Sequence, residues 1–465
     1  MGPTLRRGLL ALLAMAAPAG TLCACAPAGV RPQASPVRGA WSRPATLTRC
    51  SGPSAPQVVF PQKTPFHRTG PGAIVFAGAP SCRAGSGAMI APIGPRDSPE
   101  GPRAPRTASG RVIALAPPLA DAAATDGQIV LVGRARADSR THGPAMLSEG
   151  RADRAFTPPR SLAGLSSPLG LATAYLGDVA IASERDDGSL GVQVHMQRWF
   201  AHGFGAATQL GGRRGARRAL TVALDYRTDA IAVWWQQGWL WDRERHADGA
   251  LGPLQRFARA GPSVELTALC SDDGRAIVAW MDPSGNEATL YLDISGPFMR
   301  LGAGRLLERL RWRRGATLPQ SGSVQLVRLS TESVLMAWTG ARDGHFVVRA
   351  AGIDLQGTRT TSTVSAPGED ASLEDLVTGP RGDALALWRS APVRPAPGYG
   401  DRVALVAARG GPSSRGLPRF DVPRQLAPPG RYSGASVALD PDNDRAVASW
   451  REQSGAIRWA VWPPS

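Results

Sequence analysis

Short apolar runs alternate with polar turns along the chain, and one run recurs eight times. Five copies end in tryptophan: residues 230–234 (AIAVW), 276–280 (AIVAW), 334–338 (VLMAW), 384–388 (ALALW) and 446–450 (AVASW). Three more keep the apolar run but close differently: residues 72–76 (GAIVF), 129–133 (IVLVG) and 179–183 (VAIAS). Successive copies lie about 53 residues apart. Ahead of a typical run comes an alternating segment and a polar turn, as in residues 264–266 (VEL) and 271–274 (SDDG). Behind it comes a second turn and another short segment, such as 289–293 (TLYLD), 345–349 (HFVVR) and 457–461 (IRWAV).

Short strands separated by turns at this regular interval predict antiparallel hairpins. The five-residue runs do not alternate, so both of their faces must be covered. An inner strand sandwiched between neighbouring sheets meets that demand. The expected fold is therefore all-β, a β-propeller of seven or eight blades with about 50 residues in each. Sustained helical spacing is absent, with one exception: residues 301–311 (LGAGRLLERLR) predict a short helix. Ring closure is expected to borrow residues 57–61, laid beside 457–462. The Pro- and Gly-rich insertions 92–108 and 391–400 read as loops on a face of the ring.

Composition agrees with a turn-rich β-protein. Of 465 residues, 43% are hydrophobic, which supplies a core, while 54 glycines and 41 prolines make up about a fifth of the chain. The net charge of +16 invites a nucleic-acid reading. Lys63, however, is the single lysine among 53 basic residues. Arginine in place of lysine, alongside abundant Ala, Gly and Pro, is what a GC-rich genome writes on a solvated surface. Attraction to anionic lipid headgroups or glycans is the competing explanation.

The N-terminus carries a compartment signal. Arg6 and Arg7 precede an apolar stretch, residues 8–16, too short to span a bilayer, as in a secretory signal peptide. Leu22-Cys23-Ala24-Cys25 resembles the lipobox of bacterial lipoproteins. That resemblance implies removal of residues 1–24, lipid on the Cys25 sulfur, and a membrane-anchored protein facing the periplasm or cell exterior. Cleavage after Ala26, giving a secreted soluble protein, is the alternative. Residues 25–57, rich in Pro, Ser and Arg, read as a tether, and residues 58–465 as the propeller. An oxidising compartment would permit a Cys50–Cys82 disulfide, whereas Cys270 reads as a buried free thiol.

The repeat itself resembles a generic bacterial pattern, D-G-x-A-x-V-A-W, found in exported propeller proteins, over roughly residues 60–465. The resemblance implies a strand and no particular chemistry. Ser271-Asp272-Asp273-Gly274 departs from the sialidase Asp-box, because Trp280 lies too far along. Asp440, Asp442 and Asp444 approach a calcium loop, but Arg445 stands where its glycine belongs and Arg451 where its last acid belongs. They read as a hairpin turn, and no metal or other cofactor is expected.

Two features could form a ligand surface. The tryptophan-rich segment after Trp234 offers Trp235, Trp239 or Trp241 as an aromatic platform for a sugar ring or an apolar side chain. Arg213, Arg214, Arg217 and Arg218 form one basic cluster, and Arg305, Arg309, Arg311, Arg313 and Arg314 another, suited to phosphate, sulfate or carboxylate. The six histidines show no ligand spacing, and no nucleophile elbow or phosphate loop occurs. Glu184, Asp186 and Asp187 flank the anchor where Ser183 replaces tryptophan, but nothing assigns them a catalytic role. The reading is a non-enzymatic binding or scaffold module for an envelope protein or an anionic glycan or headgroup, with nucleic acid excluded as a partner. A polysaccharide hydrolase or lyase is the alternative.

Overall fold

The computed structural model describes residues 40–462 except residue 53, 62–69, 80–86, 95–97, 114, 123–127, 136–144, 163–164, 174–177, 186–191, 198–204, 212–216, 272–273, 297–299, 314–323, 358, 394–400 and 412–417. Among the described residues there is no helix, and the strands form eight small antiparallel sheets. Each recurring apolar run is the second strand of one sheet: Ala73–Gly78, Ile129–Ala135, Val179–Arg185, Ala230–Gln236, Ala276–Ser284, Ser333–Arg342, Ala384–Pro392 and Ala446–Glu452. These runs need no alternation because a neighbouring blade covers either face. Ile277 to Trp280 are all wholly buried.

The innermost strands touch one another in chain order, from Gln57–Val59 through Glu265–Cys270 to Tyr432–Leu439. Tyr432–Leu439 then packs against Gln57–Val59, so the eight sheets close into a ring and each is a blade. Apolar clusters weld adjacent blades. Trp280 lies between blades four and five, stacked on Tyr291 and edge-on to Phe257. Trp388 lies between six and seven. Trp234, Trp338 and Trp450 are buried in the equivalent position of their blades.

Closure differs from the sequence expectation. Ala45–Thr48 pairs antiparallel with Ile457–Trp462 and becomes the fourth strand of blade eight. Gln57–Val59, expected to do this, is instead the innermost strand of blade one, because Val58 and Val59 are both buried against its neighbours. The structured domain therefore begins ahead of residue 58. Trp41 is buried edge-on to Trp462, at 5.3 Å between ring centroids. The Ser42 N–H donates to the Val461 carbonyl at 2.8 Å. Residues 1–24, expected to be a signal peptide, and residues 25–39, with Cys25, lie outside the described residues.

The expected helix is also a strand. Arg305–Arg311 forms the outer edge of blade five. A bulge sets Tyr291 opposite Leu306 and Leu290 opposite Glu308, so the apolar positions lose strict alternation and imitate helical spacing. The insertion after blade one runs along its third strand, with bridges from Ile90 to Arg103 and from Ile93 to Pro99, where a fourth strand would lie. Residues 394–400 of the other insertion lie outside the described residues. Cys270 is a buried free thiol, as expected, and burial pushes its ionisation far up. Cys50 is disulfide-bonded, and its expected partner Cys82 lies outside the described residues.

Candidate functional site

The meander places first-to-second and third-to-fourth strand turns on one face of the ring. Second-to-third turns and the links between blades lie on the other. Functional geometry concentrates on this second face, between blades six and seven. In blade six, Ser333–Arg342 turns into His345–Asp354 through Asp343 and Gly344 alone. Both adopt positive φ, 54° and 78°, the two-residue geometry that matches strand twist. This tight turn places Arg342 and His345 as a cross-strand pair at the rim. Blade seven then enters through Gly368, at φ 83°, and begins its inner strand with Glu369 and Asp370.

His345 Nδ1 lies 3.5 Å from Asp370 Oδ1, with both side chains largely buried. The same carboxylate oxygen accepts the Phe346 N–H at 2.9 Å, which fixes its position. Glu369 Oε2 accepts the Ser390 hydroxyl, and Ser365 Oγ accepts the Val348 N–H at 3.0 Å. Arg342, His345, Val347, Thr363, Ser365 and Glu369 line a cavity of about 410 Å³. Chemically, a carboxylate behind one imidazole nitrogen orients the other for hydrogen bonding or proton transfer. Ser390, which could otherwise act as a nucleophile, directs its proton to Glu369 rather than to an imidazole. The pocket thus combines an apolar lining with a held histidine and a held carboxylate.

A larger cavity, about 740 Å³, lies on the opposite face among Tyr226, Arg227, Arg275, Glu332 and Asp354. Its arginines are turned to internal acceptors: Arg227 Nε to Tyr226 Oη at 2.8 Å and Arg275 Nη1 to the Leu355 carbonyl at 3.1 Å.

The tryptophans anticipated as a platform are dispersed over blade four. Trp235 packs toward blade five and donates to the Ala260 carbonyl at 2.8 Å. Trp241 faces blade three and donates to the Gln236 carbonyl at 3.3 Å. Trp239 lies under Arg256 and Arg259, whose guanidinium carbons are 3.9 and 4.8 Å from its ring centroid. No single face presents all three. Arg217 and Arg218 begin the inner strand of blade four, while Arg213, Arg214 and Arg314 lie outside the described residues. Arg305, Arg309, Arg311 and Arg313 are exposed on or beside the edge strand of blade five. Arg305 donates to the Gly357 carbonyl and Arg311 pairs with Glu287 at 3.3 Å. They are spread along an edge, where charge discourages strand-to-strand association, rather than gathered in a pocket.

Asp440 caps its own turn through the Asp442 N–H and the Asn443 amide, and Asp444 pairs with Arg381 at 2.5 Å. This is the hairpin expected from sequence. The side chains of Glu184, Asp186 and Asp187 lie outside the described residues. Two buried acids have arginine partners: Asp383 with Arg409 and Glu374 with Arg389, both at 2.6 Å. Glu265 has burial alone acting on it, which pushes its carboxyl up to about 7.

No protein-family model matches the chain, and no curated protein does. Its fold is similar to that of several solved structures. One is a protein of unknown function from Dyadobacter fermentans, 13% identical, covering 63% of this chain and 93% of that one, TM-score 0.34. Another is a fungal alcohol oxidase of the AA5 family in complex with copper, 11% identical, covering 73% and 72%, TM-score 0.44. A third is the NanB sialidase of Streptococcus pneumoniae, 9% identical, covering 74% and 67%, TM-score 0.37. At such identities the likeness concerns fold alone, which hosts many chemistries.

Proposed function

We propose that this chain is an exported, lipid-anchored β-propeller that binds a polar protein or glycan ligand through the face bearing the pocket between blades six and seven. One observation carries the reading. Two polar side chains that line that pocket are held by residues behind it, His345 by Asp370 and Glu369 by Ser390, and they present a preset recognition surface with Arg342 at its rim. A preset surface binds without the cost of ordering its own side chains. The oriented histidine favours a second reading, a hydrolase or lyase acting on polysaccharide, in which His345 would serve as acid or base.

The test is a cross-linked pull-down of the tagged mature chain from its own envelope extract, beside an Arg342→Ala/His345→Gln variant. The binding reading requires a protein or glycan retained by the parent and lost by the variant. Equal recovery by both would place recognition elsewhere. Turnover of an envelope polysaccharide that His345→Gln abolishes would establish the enzymatic reading instead. Anchoring is tested separately, since Cys25→Ala should release the protein from the membrane fraction, and unchanged fractionation would refute lipidation.

A further inference from the structure

On the opposite face of blade four, two carboxylates and an imidazole converge without an arginine ion pair among the described residues, and a third acid, Asp225, lies on the same turn. Asp225 and Asp229 bracket the turn between Arg217–Leu224 and Ala230–Gln236, while Glu244 and His246 end the third strand and begin the next turn. His246 Nδ1 lies 3.3 Å from Glu244 Oε1 and 3.9 Å from Asp229 Oδ1. One donor atom from each of Asp229, Glu244 and His246 lies within 4.8 Å of the other two. The backbone supports this arrangement. Asp229 Oδ1 accepts the Ala247 N–H at 2.7 Å, which ties the two turns together and leaves Oδ2 available.

Asp225 begins the same turn. It is 1% exposed, and its Oδ1 accepts the N–H groups of Arg227 and Asp229, both at 2.8 Å. Its Oδ2 is buried with no hydrogen-bond partner, beside Gly274 of blade five. A carboxylate oxygen in that state is costly unless something positive meets it. The chain has 53 basic residues, and the buried acids Asp383 and Glu374 take arginines, yet this group does not.

We propose that Asp229, Glu244 and His246 bind a divalent cation of the zinc type. One imidazole nitrogen with carboxylate oxygens suits zinc, whereas calcium and magnesium prefer oxygen alone. The cation fastens two turns of blade four at its border with blade five, and so acts as a structural clamp. The site lies on the face away from the His345 pocket, so it stands or falls independently of the binding function.

The test uses the full mature chain, stripped with chelator, dialysed against zinc chloride and measured by elemental analysis and thermal melting. The expected result is one zinc per chain and a raised Tm. Glu244→Gln and His246→Gln should each weaken uptake at least about tenfold, a difference near 1.4 kcal/mol. His246 is part-exposed, so its variant keeps the proposal testable if the buried Glu244→Gln chain does not fold. Absence of stoichiometric uptake by the parent, or equal uptake and stabilisation in His246→Gln, would overturn the site.

Discussion

Replacing Trp41 by alanine tests whether the N-terminal segment is a working part of the ring. Its indole is 9% exposed and meets Trp462 edge-on at 5.3 Å. A tryptophan buries roughly 150–250 Å². At about 25 cal/mol per Å², the removed surface corresponds to about 4–6 kcal/mol. Loss of the edge-to-face contact adds to this, and partial collapse of the site subtracts, leaving about 3–5 kcal/mol. The backbone pairing of Ala45–Thr48 with Ile457–Trp462 survives the substitution, so the ring should weaken rather than open. Urea denaturation of the protein, followed by tryptophan fluorescence and by far-UV circular dichroism, gives the difference. Trp239→Ala is the control, because Trp239 sits on the outer half of blade four between two arginines and should cost far less. A destabilisation of Trp41→Ala below about 0.5 kcal/mol, the level of an ordinary surface change, would refute the closure role and restore the segment as a tether.

Three further outcomes are expected. Glu265 holds its proton in the folded chain up to about pH 7, against an ordinary value of 4.5, so stability should fall as pH rises through that window and level off above it. The loss is at most about 3 kcal/mol, and Glu265→Gln should flatten that part of the profile in denaturation series at pH 4.5, 6 and 8. Asp383→Ala leaves Arg409 buried without its partner and should cost about 3–5 kcal/mol, whereas Asp383→Leu with Arg409→Met should recover most of it. Reduction, or Cys50→Ser, should lower stability by about 2–4 kcal/mol, and non-reducing peptide mapping should find Cys50 joined to Cys82.

The blade repeat was readable because the second strand of a blade is covered on both sides, which compels an unbroken apolar run. All eight runs, including those lacking tryptophan, occupy that position. Closure was not readable. Ala45–Thr48 is four residues of ordinary composition after a proline, and its strand identity comes wholly from Ile457–Trp462 at the far end of the chain. The bulge opposite Tyr291 hid another strand by breaking its period. The two polar constellations escaped for a different reason. His345 and Asp370 belong to separate blades, and Glu244 and His246 meet Asp229 across two turns. Neither arrangement has a fixed sequence spacing, since both are made by strand register and blade packing. The signal that could have flagged the second is acids and a histidine clustered at two turns of one repeat.

The pairing of Ala45 with Trp459 has a mechanical meaning as well. With both ends of the ring in one blade, a pull on the two termini loads a single four-stranded sheet before any other. Ala45–Thr48 would strip away from Ile457–Trp462 first, and only then would the load reach the remaining seven sheets. Stretched between two handles, the molecule should yield in an early, short rupture that vanishes when the segment before Cys50 is deleted. Joining the two ends through a linker and cutting between blades four and five should move that weak point halfway round the ring.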